Sequence, residues 1–305
     1  MKSIYKQFVR HVMAILICGT CCCLCSYAGA SGASIWWPGW RISSSEELYD
    51  GTRYSYHDEV GAPAYPLSRL FDGNPNTAWV YSATSAEWDK QVSGSRYGIK
   101  LEPDAPILLD GLRIMNGHNE SLKRFLKNNR ALEIRVTLEL KRSTLVRNFK
   151  LPDALGWHAV SFPAAKAKSI SIEFTHIANG PAGDLCISEL ELQFGGRKID
   201  MHMPKAVMFV DGLEACVPFY LILPNGQMLN GTAAGDGFAD SWSPSGRYVS
   251  GIAGPDVNLW FADAIAGRMI SDMQHLPLSR TDRKWVTERR REAKMAAEED
   301  RQYGE

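Results

Sequence analysis

Leu132-Glu133-Ile134-Arg135-Val136-Thr137-Leu138-Glu139-Leu140 places an apolar side chain at every second position and a polar one between each pair. Successive side chains of a strand point to opposite faces, so this stretch reads as one strand with a dry face and a wet face. Ser169-Ile170-Ser171-Ile172-Glu173-Phe174-Thr175 repeats the pattern. Ile187, Leu190, Leu192 and Phe194 close the region, with a break in register after Ile187. Between these runs stand the turn signals Pro152-Asp153, Leu155-Gly156 and Asn179-Gly180-Pro181. Only Ser121 to Asn128 reads as helical, for one or two turns. Short strands at this spacing, without amphipathic helices between them, predict an all-β fold, a β-sandwich.

Outward from that core the composition agrees. The 305 residues are 45% hydrophobic and 22% charged, with 26 Gly and 15 Pro. These values exclude a wholly disordered chain, a collagen-like repeat and a multi-span membrane protein. Lys+Arg and Asp+Glu are equal at 34 each, so no global basic bias points to nucleic acid. Lys2, Lys6 and Arg10 precede an uncharged apolar run from Val12 to Leu24, and Ala28-Gly29-Ala30 follows as a small-x-small site. That is the plan of a secretory signal peptide over residues 1–30, too short to span a bilayer, so the mature chain is expected to be secreted or periplasmic, with no integral membrane segment. Its removal leaves 31 basic against 34 acidic residues, and Cys186 and Cys216 as the remaining cysteines. In a disulfide-permitting compartment they either pair or stay as buried thiols. Residues 31–66 carry Trp36, Trp37 and Trp40, read either as a stacking platform or, preferably, as an N-terminal strand stapled onto the core.

Gly195-Gly196 marks the expected end of the sandwich, which then covers residues 31–197. Residues 198–278 read as a small β-meander: apolar runs at 206–210 and 217–223, the turn Pro224-Asn225-Gly226, and a strand pair at 241–250 and 257–262. Residues 279–305 hold eight basic and seven acidic residues, and 282–301 would form a helix polar nearly all round or stay disordered. The alternating acids make Arg289-Arg290-Arg291 a solvated face rather than a nucleic-acid patch.

The mature chain carries no CxxC, HExxH, GxSxG, GxGxxG or GxxxxGK[ST] motif, which lowers the expectation of an enzyme. The most informative loop is Asp72-Gly73-Asn74-Pro75-Asn76-Thr77-Ala78-Trp79. Asp72, Asn74 and Asn76 offer oxygens at every second position, the donor type that calcium prefers, and the alternative is an Asx turn that sends Trp79 into the core. It is not an EF-hand, since Thr77 replaces the turn Gly and Ala83 the terminal Glu.

This loop, then Ile114-Met115-Asn116-Gly117, Asn128-Asn129-Arg130 and Ile187-Ser188-Glu189-Leu190 in that order, resembles the discoidin-like domains, also called coagulation-factor type C or galactose-binding-like. The likeness is to the glycan-binding branch found in bacterial secreted proteins and covers roughly residues 42–195. It implies a jelly-roll sandwich of two antiparallel sheets, a structural calcium on Asp72, Thr77 and Glu189 with Asn74 as a further oxygen, and a carbohydrate site in loops at one end. Candidates for that site are Trp88, His118, Asn119 and Arg130, because a ring and several hydrogen-bonding groups suit a sugar. Ser241-Trp242-Ser243-Pro244-Ser245-Gly246-Arg247-Tyr248, with Asn258 to Asp263 and Gly267-Arg268, resembles one blade of a TolB- or WD-type propeller. At most two blades fit the length, so a meander is preferred to a closed propeller.

The expected function is non-catalytic recognition of a glycan or cell-surface carbohydrate. The competing readings are docking of a protein partner through the C-terminal region, and an enzyme for which the sandwich is accessory, with Asp236, Asp240 or Asp256 carrying the chemistry.

Overall fold

The computed structural model describes residues 33–44, 65–82, 98–211, 218–223, 228–232, 241–253, 258–273 and 275–303. All of them belong to the compact unit Gly32–Glu305. Residues 1–30, expected to be a signal peptide, and Trp88, Cys216, Asp236, Asp240, Asp256 and the turn at 224–226 lie outside the described residues.

The strands are β1 (Ala33–Trp37), β2 (Trp40–Ser44), β3 (Trp79–Ser82), β4 (Gly98–Pro103), β5 (Ile107–Asn116), β6 (Arg130–Glu139), β7 (Thr144–Lys150), β8 (Trp157–Ala167), β9 (Ser169–Ala178), β10 (Asp184–Phe194) and β11 (Arg197–Lys198). The C-terminal half adds β12 (Val207–Asp211), β13 (Pro218–Ile222), β14 (Met228–Thr232), β15 (Tyr248–Ala253), β16 (Asn258–Asp263) and β17 (Arg268–Ile270). Two α-helices are described, α1 (Leu122–Lys127) and α2 (Arg280–Tyr303). The protein is thus an antiparallel β-sandwich continued by a meander and closed by a C-terminal helix. One sheet runs β17-β16-β15-β14-β13-β12-β1-β2-β4-β9-β6-β7; the smaller runs β11-β10-β5-β8, with β3 also paired to β10.

Strand register explains the alternation. Ile134 lies across from Phe174, Val136 from Ile172 and Leu138 from Ile170, so these pairs share the dry face of the larger sheet. They meet Leu109, Leu112 and Ile114 of β5 and Leu185, Ile187, Leu190 and Leu192 of β10 in one buried cluster. The break after Ile187 is real: the core residues of β10 are odd-numbered up to 187 and even-numbered from 190. Ser188 and Glu189 sit at the reset, both buried in spite of their polarity. Cys186, on the other face, forms a small cluster with Ala78, Val80 and Tyr65 and carries a free thiol.

The tryptophan-rich start is the strand expected of it. Trp37 and Trp40 are buried, and Trp37 donates Nε1–H to the Met201 carbonyl at 3.1 Å. β1 pairs with β2 on one side and with β12 on the other, so the sheet passes without interruption from the sandwich into the meander.

Gly195 and Gly196 have positive φ, 59° and 71°, and form the two-residue turn joining β10 to β11. Left-handed backbone at both centres is the turn that matches strand twist, and glycine adopts it without penalty. The C-terminal helix is not polar all round. Asp282, Trp285, Val286, Arg289 and Ala293 recur at helical spacing and are buried. Trp285 meets Phe261 edge to face at 5.7 Å, within a cluster that includes Tyr248, Met273 and Leu278. Arg289 is therefore part of the helix's inward face and pairs with Glu292 at 2.8 Å.

Candidate functional site

The loop after the short 3-10 turn Leu67–Leu70 is tied to itself. Asp72 Oδ1 accepts from the Asn74 N–H at 2.8 Å, and Asn74 Oδ1 accepts from the Asn76 N–H at 3.1 Å. The Thr77 hydroxyl lies 2.8 Å from both Asp72 Oδ2 and the Asn74 carbonyl, with one proton to donate between the two. Trp79 and Tyr81, each 1% exposed, anchor β3 in the core directly after the loop. Trp79 lies across from Ile187, which holds the loop over β10 where Glu189 comes next but one.

Glu189 is buried, and its Oε1 has no hydrogen-bond partner among the described residues. Burial pushes its carboxyl up to about 8, and the hydrogen bond and charge of Asp72 add to the shift. Lys198 and the Asn74 N–H pull in the opposite direction. The four residues expected to hold a cation, Asp72, Asn74, Thr77 and Glu189, are thus brought together from two distant segments. The donor set is hard oxygen throughout, and a buried carboxylate oxygen without a partner beside a second carboxylate is the arrangement a divalent cation would relieve. Asn74 approaches the carboxylates through its backbone N–H, while its side-chain oxygen serves the turn.

The other candidates collect around the loop after β5 and α1. Ser121 caps α1 by accepting from the Arg124 N–H, and Asn128 closes it by donating to the Arg124 carbonyl. Gly117 has φ +74°, and a Cβ there would lie 2.6 Å from the Phe125 ring. Three asparagines then fix this end by side-chain bonds to distant backbone. Asn116 donates to the Ala131 carbonyl at 2.6 Å and accepts from its N–H at 2.9 Å. Asn119 accepts from the Gly156 N–H at 2.7 Å and donates to the Asn116 and Gly117 carbonyls. Asn129 accepts from the Gly180 N–H and donates to the Gly183 carbonyl, each at 2.7 Å.

Arg130 is buried beneath these loops. It makes a bidentate pair with Asp153 at 2.7 and 2.9 Å and donates to the Phe125 and Asn128 carbonyls. The guanidinium holds the Asp153 carboxyl below its usual value. His118 is 5% exposed, and its Nδ1 has no partner among the described residues. Burial lowers its pKa; the Arg124 and Arg69 charges act in the same sense, and Glu120 against them. His118, Asn119 and Arg130 therefore share one end of the sandwich, where Asn119 and Arg130 act as braces of the loops. Trp88 lies outside the described residues. Sequence reading carried Asn116 and Ser188 only as members of motifs and missed Asp153 as a member of the site. The Ser188 hydroxyl accepts from the Asn119 N–H and donates to the Gly117 carbonyl, each at 3.0 Å.

No family model matches the chain, and no curated protein does. Solved structures do. A family 32 carbohydrate-binding module from Clostridium perfringens NanJ, in complex with galactose, is 17% identical at a TM-score of 0.34, over 52% of this chain and 98% of that one. A second module from Clostridium perfringens, in complex with GalNAc-β-1,3-galactose, is 13% identical at 0.34, over 51% and 95%. The F5/8 type C domain of a Bacteroides fragilis protein is 14% identical at 0.35, over 51% and 95%. Among the described residues no helix is long and apolar enough to cross a membrane.

Proposed function

We propose that this is a secreted or periplasmic, non-catalytic recognition protein whose sandwich binds carbohydrate at the α1 end and holds a structural calcium on Asp72, Thr77 and Glu189, with Asn74 contributing. The observation that carries the reading is the bracing of that end. Asn116, Asn119 and Asn129 lock the loops at 117–121, 128–130, 153–156 and 180–184 to one another through backbone bonds. Loops fixed before a ligand arrives lose little freedom on binding, which is what a shallow site for a hydroxyl-rich ligand requires. The resemblance of the four sequence motifs to glycan-binding discoidin-like domains supplies the ligand class. A bound cation would neutralise the two carboxylates, and Asp72 and Glu189 would then pin the 72–77 loop onto β10.

The test is a panel of immobilised glycans probed with the mature chain in calcium. Retention by one glycan class, weakened at least tenfold by Asn119→Ala through release of the 153–156 loop, is the expected result. Absence of retention by every glycan at millimolar concentration rejects the reading.

A further inference from the structure

The outward face of the smaller sheet has a built relief that the loop end does not use and that the cation site touches only at Glu189, buried in its last row. Register sets its rows. Leu108 lies across from Lys166; Gln193, Gly111 and Ser161 form the next row; Glu191, Arg113 and Ala159 the next; Glu189, Met115 and Trp157 the last. Lys198 extends the second row beside Gln193. Ala159 and Ser161 are exposed and short, and only glycine fits at 111, where a Cβ would lie 2.7 Å from the Val160 carbonyl. The middle of the face is therefore a floor near backbone level.

Long side chains border it. The half-buried Trp157 stands at one end, with the Arg113 guanidinium 4.6 Å from its ring centroid. Glu191 and the exposed Lys198 line one side, and Lys166 and Leu108, both exposed, close the other end. From Leu108 to Arg113 the open trough runs about 17 Å at roughly 3.3 Å per residue, and Met115 and Glu189 beyond it are buried. Its charges are unequal. Glu191 is held by both Arg113 at 3.3 Å and Lys198 at 3.4 Å, and Lys166 makes no ion pair among the described residues. The nearby Asp110 carboxylate accepts from the Gly195 N–H at 2.9 Å, an uncharged donor, so three basic side chains, Arg113, Lys166 and Lys198, stand against two acidic ones, Glu191 and Asp110.

We propose that this face is a second binding surface, one that takes an extended acidic polysaccharide. The length suits a chain rather than a single sugar. A shallow floor flanked by an aromatic ring already held in place suits the apolar faces of sugar rings. The cationic excess selects a chain that carries carboxylate or sulfate groups. This surface is separate from the α1 end and does not depend on the carbohydrate reading given to that end.

Affinity electrophoresis of the mature chain through gels containing polygalacturonate, dextran or single-stranded DNA tests it at physiological salt. Polygalacturonate should retard the chain and dextran should not. Trp157→Ala, and separately the exposed-site double variant Lys166→Glu with Lys198→Glu, should each weaken retardation at least tenfold. The double variant keeps the test valid if Trp157→Ala lowers the melting midpoint by more than a few degrees. Lack of retardation, or retardation that survives both sheet-face changes, overturns the proposal. So does equal retardation by DNA that the lysine changes abolish and Trp157→Ala leaves intact, since that is charge alone. Loss of polygalacturonate retardation in the Lys166→Glu/Lys198→Glu variant, with neutral-glycan retention kept, separates the fate of this surface from that of the α1 end.

Discussion

Glu189→Gln tests the cation site most sharply. Glu189 is buried beside Asp72, and its carboxyl is pushed up to about 8. In the unfolded chain it would titrate near 4.5. A folded-state pKa raised above the unfolded one contributes stability that is present below the unfolded value and lost as pH rises toward the folded value. Without a cation, stability should therefore fall between about pH 4.5 and 8, by on the order of 1 kcal/mol per pH unit from this group. At roughly 2–4 °C per kcal/mol the melting midpoint should drop by a few degrees per unit across that window. Calcium favours the ionised carboxylate, so it should raise the midpoint above pH 7 and flatten the decline. The glutamine keeps the shape, cannot ionise and carries no negative oxygen.

The assay is a set of thermal melts from pH 5 to 8.5, in chelator and in millimolar calcium, for the wild-type and variant chains. In chelator the wild type should lose stability with rising pH more steeply than Glu189→Gln. Calcium should stabilise the wild type and leave both Glu189→Gln and Asp72→Asn nearly unmoved. If the wild type and Glu189→Gln have the same slope in chelator, Glu189 does not hold its proton across this window. If calcium shifts both chains alike, the cation binds elsewhere, and the grouping of Asp72, Thr77 and Glu189 is wrong.

Other changes probe the braces. Asn116→Ala removes both partners of the Ala131 peptide group inside the fold and should cost roughly 2–3 kcal/mol, read as a lower urea midpoint. Gly117→Ala must place a methyl 2.6 Å from the Phe125 ring on a backbone at φ +74°, and should cost about 1–3 kcal/mol in the same assay. Trp285→Ala empties the contact with Phe261 and should free α2; limited proteolysis should then remove the C-terminal segment first and leave the sandwich resistant.

Legibility in the sequence depends on which faces of an element are dry. β6 and β9 have one core face and one solvent face, so their alternation was visible, and the reset in β10 showed as a broken period. β7 turns only Leu145 and Phe149 partly toward the core, and the exposed Arg147 between them interrupts that face, so the strand shows no clear period. The loop from Asp72 to Thr77 was legible because its bonds span at most five residues. Glu189 reached the site by resemblance alone. The asparagine braces join residues up to 54 apart, and the pairing of Arg113 with Trp157 depends on the register of β5 against β8. No local pattern encodes either. Arg289 was misread because a helix dense in charge hides a narrow inward stripe, and one whose members include Asp282 and Arg289 carries no hydrophobic period.

The position of β1 explains why the two halves cannot be treated as a module and its appendage. It lies inside the larger sheet, with Ser34 across from Ser43 on one side and from Val210 on the other. Its inward residues Ile35 and Trp37 are fully buried, in one cluster with Val207 and Met208 of β12 and with Val249 and Ala262 of the meander. A chain ending at residue 197 would lose one flank of β1 along its whole length. It would leave a row of unpaired N–H and C=O groups in what had been the middle of a sheet, the kind of edge that pairs with other chains. It would also lose the Met201 carbonyl that receives the Trp37 indole N–H. The braced loops and the open sheet face are therefore presented by a sandwich whose first strand is completed by the C-terminal half. Binding measured on the isolated sandwich would report on a different, stickier molecule than the one this sequence folds into.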